Sequence, residues 1–388
     1  MSLKENLVEK FREVFHYKPT NLIDTGGRFE IIGNHTDHNH GFCLVANCSL
    51  RVYGAISKNP SEVRIKSHGY PFYSFKVSDL EIKEEEKSTT LALCKGILFK
   101  LKEQGYEIGG FDIYMESEIP DGSGVSSSAA VESLFGYIIS FLYNDKKIQP
   151  IVLAKDGQFS ENNYFGKPCG LLDQIGTCFN GCNFIDFKNI NEPQITSLDF
   201  EFHLDLYLIK SVGDHSNLTP LYAAIPDSMY EVAKALDNKN YLRDVNPINV
   251  YERIEKLDLS EEVKRKAKHF FIENNNVLYA KEAIEKGNVD DFLGAIRNSQ
   301  YTSKVNLENT FVKDEYKDSP QNIIDDVSEF IGKHGAIRIH GGGFKGTCLA
   351  FIKKDFSEEF DKYLAKHYPK ERYFKVHISS NAVNFEKI

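Results

Sequence analysis

The stretch Ile119-Pro120-Asp121-Gly122-Ser123-Gly124-Val125-Ser126-Ser127-Ser128-Ala129-Ala130 constrains this chain more than any other. Before it, Phe111, Ile113, Met115 and Ile119 alternate with Asp112, Tyr114, Glu116 and Glu118, the pattern of a half-buried strand. After it, Ala130, Leu134, Ile138 and Leu142 recur at helical spacing, and the serines at the start can cap free backbone N–H groups. Strand, glycine loop and helix start bring backbone amides and a helix dipole to one point, which suits a phosphate. No G-K-[ST] follows the glycines and no x-x-G follows G-x-G, so neither a Walker A loop nor a dinucleotide fingerprint is present. Taken alone, the stretch serves equally well as a Gly/Ser turn capping a core helix.

At 388 residues the chain exceeds the size at which single cores stop growing, and two domains are expected, 1–195 and 196–388. A net charge of −9 argues against a nucleic-acid partner, while leaving room for a local basic pocket. The seven cysteines are odd in number and form no CxxC pair. With no signal-peptide pattern, they read as reduced thiols of a cytoplasmic protein, all seven acting as small core residues. No apolar run approaches the length of a membrane span, so no membrane partner is expected.

Periodicity predicts a helix over 3–16, then a strand over 26–33 running into the polar loop Asn34-His35-Thr36-Asp37-His38-Asn39-His40-Gly41. Strands are predicted at 43–56, 63–67 and 70–77, and helices at 89–104 and 150–162. Periodicity is lost over 190–203, where the domain boundary is placed. A strand at 206–212 and a helix at 220–237 follow. Two or three helices fill 247–310, punctuated at 274–276 and 287–288. The end reads helix 321–333, strand 336–340, a glycine loop Gly341-Gly342-Gly343-Phe344-Lys345-Gly346, strand 347–352, helix 356–366 and strand 373–378. That order suggests an α+β half with an antiparallel sheet and helices on one face.

Four glycine-rich or polar clusters therefore lie far apart, at 27–41, 120–129, 161–174 and 340–347, as for a site assembled between domains. Together they resemble the GHMP kinases, the superfamily of galactokinases, homoserine kinases and mevalonate kinases, and the galactokinases most closely. The resemblance rests on four segments. Arg28 to Asp37 is similar to G-R-x-x-x-x-G-x-H-T-D, and Pro120 to Ala129 to P-x-G-x-G-L-S-S-S-A with Val125 for Leu. Gly166 to Gln174 is similar to G-x-P-C-G-x-x-D-Q, and Gly341 to Gly346 to G-G-G-F-x-G. The chain departs from the family at Asn34, where the family carries Glu.

The resemblance implies an α+β, two-domain fold, ribosomal-protein-S5-like in the N-terminal half and ferredoxin-like in the C-terminal half. It implies an ATP- and Mg²⁺-dependent sugar 1-kinase whose partners are a small sugar and ATP; a monomer is expected, though no residue pattern bears on it. Asp173 matches the catalytic aspartate that faces the sugar hydroxyl. Arg28 matches the arginine beside it, which favours the carboxylate anion and offsets charge on the γ-phosphoryl group. Asn34, His35, Asp37, Gly170 and Tyr222 match sugar-binding positions, with Asp214-His215-Ser216 just ahead of Tyr222. Gly122, Ser123, Gly124, Val125, Ser126, Ser127 and Ser128 match the phosphate loop. Ser128 or Ser127, with Glu161, matches the Mg²⁺ ligands. Asn34 leaves N-acetylgalactosamine or another hexose open as the substrate. Two other readings stay open: a zinc site in His35-Thr36-Asp37-His38-Asn39-His40, and a non-catalytic sugar sensor.

Overall fold

The structure, a computed structural model, describes residues 2–212, 218–312 and 315–388. The chain begins with α1 (Leu3–Phe15), β1 (Asn21–Ile32), β2 (Phe42–Asn59), β3 (Glu62–Ser67), β4 (Phe72–Lys76), α2 (Thr90–Glu103) and β5 (Gly110–Ser117). Then come α3 (Ser127–Tyr143), α4 (Pro150–Ser160), α5 (Leu172–Cys178), β6 (Cys182–Asp186) and β7 (Gln194–Leu198). The remainder runs β8 (Leu204–Lys210), α6 (Thr219–Asp237), α7 (Val250–Glu255), α8 (Glu261–Glu285), α9 (Val289–Thr302), α10 (Pro320–Ile331), β9 (Gly335–His340) and β10 (Thr347–Lys353). It ends with α11 (Ser357–His367), β11 (Tyr373–Val376) and β12 (Val383–Lys387).

Eight strands form the first sheet, in the order β12-β1-β2-β5-β3-β4, with β6 and β7 continuing from the first part of β2. Every pairing is antiparallel except β3 with β5, which a crossover through α2 makes possible. One face packs on α2 to α5 through Ile97, Leu134, Ile138 and Ile175, all buried. The other face is covered by α1, whose Leu7 and Phe11 meet Leu22, Ala55 and Tyr114. This corrects the half-buried reading of β5. Asp112 and Tyr114 on its polar side are buried too, with Asp112 fully enclosed and held by Arg64.

The second sheet is antiparallel in the order β11-β8-β10-β9. Numbered within this half, that is fourth, first, third, second, the arrangement of a split β-α-β unit expected for a ferredoxin-like half. Successive side chains of β10 serve opposite faces. Cys348, Ala350 and Ile352 pack with α10 and α11, whereas Leu349 and Phe351 pack with Phe292 of α9. Helices thus cover both faces rather than one, because β10 is apolar on both sides.

Two further differences from the sequence reading concern α8 and the boundary. The asparagines at 274–276 do not break α8. Asn274 Oδ1 accepts from Phe42 N at 2.8 Å and Asn276 Nδ2 donates to Glu273 at 3.0 Å, so buried partners offset their weak helical preference. Position 195/196 falls inside β7, which pairs with β6, and the last strand, β12, returns to pair with β1.

Candidate active site

Residues two apart share one face of a strand, so β1 delivers Arg28 and Glu30 to the same point. Register shifts against β2 flank the pair, at Gly26/Arg28 and Glu30/Ile32, and such bulges re-aim side chains. Asp173 arrives from the first turn of α5. Arg28 Nε donates to Asp173 Oδ1 at 2.7 Å, and Nη2 lies 2.6 Å from the same oxygen. Ser126 Oγ donates to the other oxygen, Oδ2, and Arg28 Nη1 donates to Gly124 O. Gly176 makes this possible, since a Cβ there would stand 2.7 Å from Arg28 Cβ. Three remote stretches therefore meet at one carboxylate.

Gly122 and Gly124 adopt φ of +67° and +73°, which only glycine takes without cost. Ser126, the residue before α3, is also left-handed, at φ 62° and ψ 67°. Contrary to the capping expected from the sequence, its hydroxyl caps no backbone N–H, because Asp173 takes it. Among the described residues the first N–H groups of α3 consequently have no side-chain partner and stay available to an anion. Ser123 is buried beneath the loop, and Val125 O accepts from Arg28 N at 2.8 Å. Lys210, at the end of β8, donates to Asp121 O and flanks Gly122. Sequence reading missed this cation because it sits 89 residues away in an apolar strand.

Ser128 Oγ donates to Glu161 Oε1 at 3.2 Å, and Lys167 Nζ lies 3.2 Å from the same oxygen. Gln174 Nε2 bridges Glu161 Oε2 and Glu132 Oε2, each at 3.0 Å. Burial and the neighbouring Glu161 push the Glu132 carboxyl well above the usual carboxylate range. One hydroxyl beside one carboxylate is the hard-oxygen pair that fits Mg²⁺. Ser127 is exposed and lines a groove next to Ser128; among the described residues it makes no hydrogen bond to Glu161.

A cavity of about 190 Å³ opens beside Arg28 and Asp173, lined also by Glu30, Asn34, His35, Asp37, Gly170 and Gly341. It is smaller than the roughly 300–1,000 Å³ of drug-sized sites, and suits one small polar molecule. Gly170 leaves room for Asp37, whose Oδ2 would lie 2.9 Å from a Cβ at that position. His35 Nε2 donates to Gly342 O at 2.9 Å, which leaves Nδ1 as an acceptor without a partner among the described residues. Asn34 is buried and spends both amide N–H groups on Glu30 Oε1 and Gly341 O. Tyr222 does not line the cavity. It supports the Gly341–Gly346 loop from behind, its hydroxyl donating to Gly343 O at 3.0 Å. Asp214, His215 and Ser216 lie outside the described residues.

The three histidines of the polar loop face different ways. His35 turns to Gly342, His38 stands 3.6 Å from Asp37, and His40 stacks on Tyr241 at 3.8 Å. Among the described residues no group of three or more His, Cys, Asp and Glu is placed to hold a metal. Six cysteines are buried as expected, but Cys169 is only half-buried and lines the cavity. A larger groove of about 840 Å³ runs from Ser127, Ser128 and Pro120 towards His68, Tyr73 and Phe165. No sequence pattern marks it, since β3, β4 and the start of α2 form it only once folded.

A split β-α-β half, a glycine loop opening α3 and an Arg–Asp–Ser cluster between them define a GHMP-type kinase, and residues 92–181 match the family described as GHMP kinases N terminal domain. Residues 9–58 match the galactokinase galactose-binding signature. The galactokinase of Streptococcus thermophilus is 30% identical over 93% of each chain, and that of Lactobacillus helveticus 28% identical over 94% of each. Among solved structures, Lactococcus lactis galactokinase complexed with galactose aligns over 100% of both chains at 23% identity and a TM-score of 0.82. Methanococcus jannaschii mevalonate kinase aligns over 92% of this chain and 98% of that one, at 16% identity and 0.66. The chain belongs to the galactokinase family. Its fold is the α+β fold of the GHMP kinases, and it is a sugar kinase with ATP as phosphoryl donor. No helix of the described residues is long and apolar enough to cross a membrane.

Proposed function

We propose that this chain phosphorylates the anomeric hydroxyl of α-D-galactose by direct in-line transfer from ATP, acting as a monomer in a reducing, cytoplasmic compartment. One observation carries the reading. The Asp173 carboxylate stands where the 190 Å³ cavity meets the glycine loop, with Arg28 on one oxygen and Ser126 on the other. In this reading the 1–195 half carries the sugar and phosphate motifs, and the 196–388 half closes the cavity with the Gly341–Gly346 loop.

Asp173 receives or orients the hydroxyl proton, and Arg28 offsets charge on the transferring group. His35 and Asp37 present acceptors to the sugar hydroxyls, and Gly170 keeps Asp37 in place. The free N–H groups of α3, with Gly122, Gly124 and Lys210, hold the phosphates. Ser128 and Glu161 would hold Mg²⁺, which supplies positive charge against the phosphate oxygens. The 840 Å³ groove, large enough for a nucleoside, takes the adenine end of ATP. An ADP-release assay over galactose, N-acetylgalactosamine, glucose and mannose tests the assignment. Galactose is expected to give the highest kcat/KM, and turnover confined to another sugar would overturn it.

A further inference from the structure

The cavity holds a carboxylate for which the site described so far has no use. Glu30 is 6% exposed, yet it lines the cavity next to Arg28. Its Oε1 is doubly engaged, accepting from Asn34 Nδ2 at 3.0 Å and from Arg338 Nη2 at 3.1 Å. Its backbone is fixed as well, with N donating to His340 Nε2 at 3.0 Å and O accepting from Arg338 Nη1 at 3.1 Å. Among the described residues no donor reaches Oε2. With Oε1 anchored and Oε2 facing the cavity, the carboxylate is held in a fixed orientation with one acceptor presented to whatever molecule fills that space.

Asn34, three residues before Asp37 in the polar loop, is by contrast committed to the protein. Both its amide hydrogens are used, its Oδ1 accepts from Asn309 Nδ2 at 2.8 Å, and its carbonyl meets His269 Nε2 at 2.9 Å. The loop thereby is tied to the Gly341 turn and to α8, and the Asn34 amide can donate nothing to a ligand. Burial raises the Glu30 carboxyl, while Arg338 and Arg28 oppose the rise.

We infer that Glu30 is a specificity-determining residue of the sugar site: its Oε2 accepts a hydrogen bond from one sugar hydroxyl, while Asn34 acts as the latch that orients Glu30. The inference rests on the reading of this cavity as the sugar site. A hydrogen bond to a charged group that only one hydroxyl can make discriminates against the sugar lacking it.

The test compares galactose with its single-position deoxy analogues in the wild-type enzyme and in Glu30→Gln. Wild type is expected to penalise one deoxy analogue by roughly ten-fold or more in KM, and Glu30→Gln is expected to erase that penalty while leaving the KM for ATP unchanged. A purely structural role would weaken all the sugars alike and leave the penalty in place, which overturns the inference. Should Glu30→Gln not fold, a crystal structure of the wild type with galactose decides. A sugar oxygen within about 3.2 Å of Glu30 Oε2 supports the role, and none within reach overturns it. If the wild type phosphorylates none of these sugars, the reading of the cavity fails; galactose turnover with an unaltered deoxy pattern fails Glu30 alone.

Discussion

Ser126 and Asp173 are joined by a hydrogen bond from Oγ to Oδ2, and this contact leaves Arg28 alone on Oδ1. The carboxylate is therefore oriented from both sides before any substrate arrives. Such preorganisation is what phosphoryl transfer, dominated by positioning and electrostatics, requires of a protein. Replacing Asp173 with Asn keeps the shape and removes the proton acceptor. Asp173→Asn is expected to lower kcat by about 10²–10⁴-fold, with ATP binding by calorimetry unchanged. Normal turnover in that variant would remove Asp173 from the chemistry.

The left-handed backbone at Ser126 allows a comparison between two small substitutions. Ser126→Ala loses the hydrogen bond to Asp173 and keeps the left-handed conformation, which costs roughly 1–2 kcal/mol for a residue with a Cβ. Ser126→Gly loses the same bond without that cost. Both variants are expected to show reduced kcat, and the glycine variant to unfold at a higher temperature than the alanine one. Equal melting temperatures would mean that position 126 is not left-handed in solution.

Gly170 lines the sugar cavity and not the larger groove, so an added methyl group there tests the one site apart from the other. A Cβ would come within 2.9 Å of Asp37 Oδ2, so Asp37 must move. Gly170→Ala is expected to raise the KM for galactose by roughly ten-fold, about 1.4 kcal/mol of lost binding, and to leave the KM for ATP unchanged. A rise in both constants would place the effect elsewhere.

Glu161 is held by Ser128, Lys167 and Gln174, and its carboxylate together with the Ser128 hydroxyl is the oxygen pair proposed for Mg²⁺. Glu161→Gln keeps the size and removes the carboxylate from that pair. Its half-maximal rate is expected to need roughly ten-fold more Mg²⁺ than the wild type, measured at fixed ATP and saturating galactose. An unchanged Mg²⁺ requirement would exclude Glu161 as a ligand.

What could be read from residues alone follows the physics of each element. The strand-loop-helix around Gly122 was legible because alternation, glycines and a four-residue apolar repeat all agree locally. Arg28, Asp173 and Ser126 were legible only through motif resemblance, since the contacts joining them span 145 and 47 residues. Helix α8 was obscured at Asn274 and Asn276, whose helical conformation depends on tertiary partners. Strand β12 was missed because five residues at a sheet edge carry little pattern, and its pairing with β1 is set by the fold. Glu30 did carry a signal: a lone acid between Phe29 and Ile31, in a strand buried on both faces, needs a reason to be there.

His35 supplies a pH dependence whose sign follows from its burial. Enclosure, reinforced by neighbouring His38, holds the imidazole down at about 4, against an ordinary value of 6.5. Between those two values the unfolded chain takes up a proton that the folded chain refuses, so acid favours unfolding. The contribution of neutral His35 is thus complete above pH 6.5 and is lost as pH falls towards 4. Burial holds His340 and His269 down in the same sense, whereas the Glu30 and Glu132 carboxyls, pushed up, act in the opposite one. A difference between two proteins isolates the one imidazole. His35→Gln can still donate to Gly342 O and does not titrate. Its stability deficit relative to wild type, measured by urea unfolding, is expected to shrink by on the order of 3 kcal/mol from neutral pH down to pH 4. A deficit that stays constant across that range would show that His35 is not held neutral by the fold.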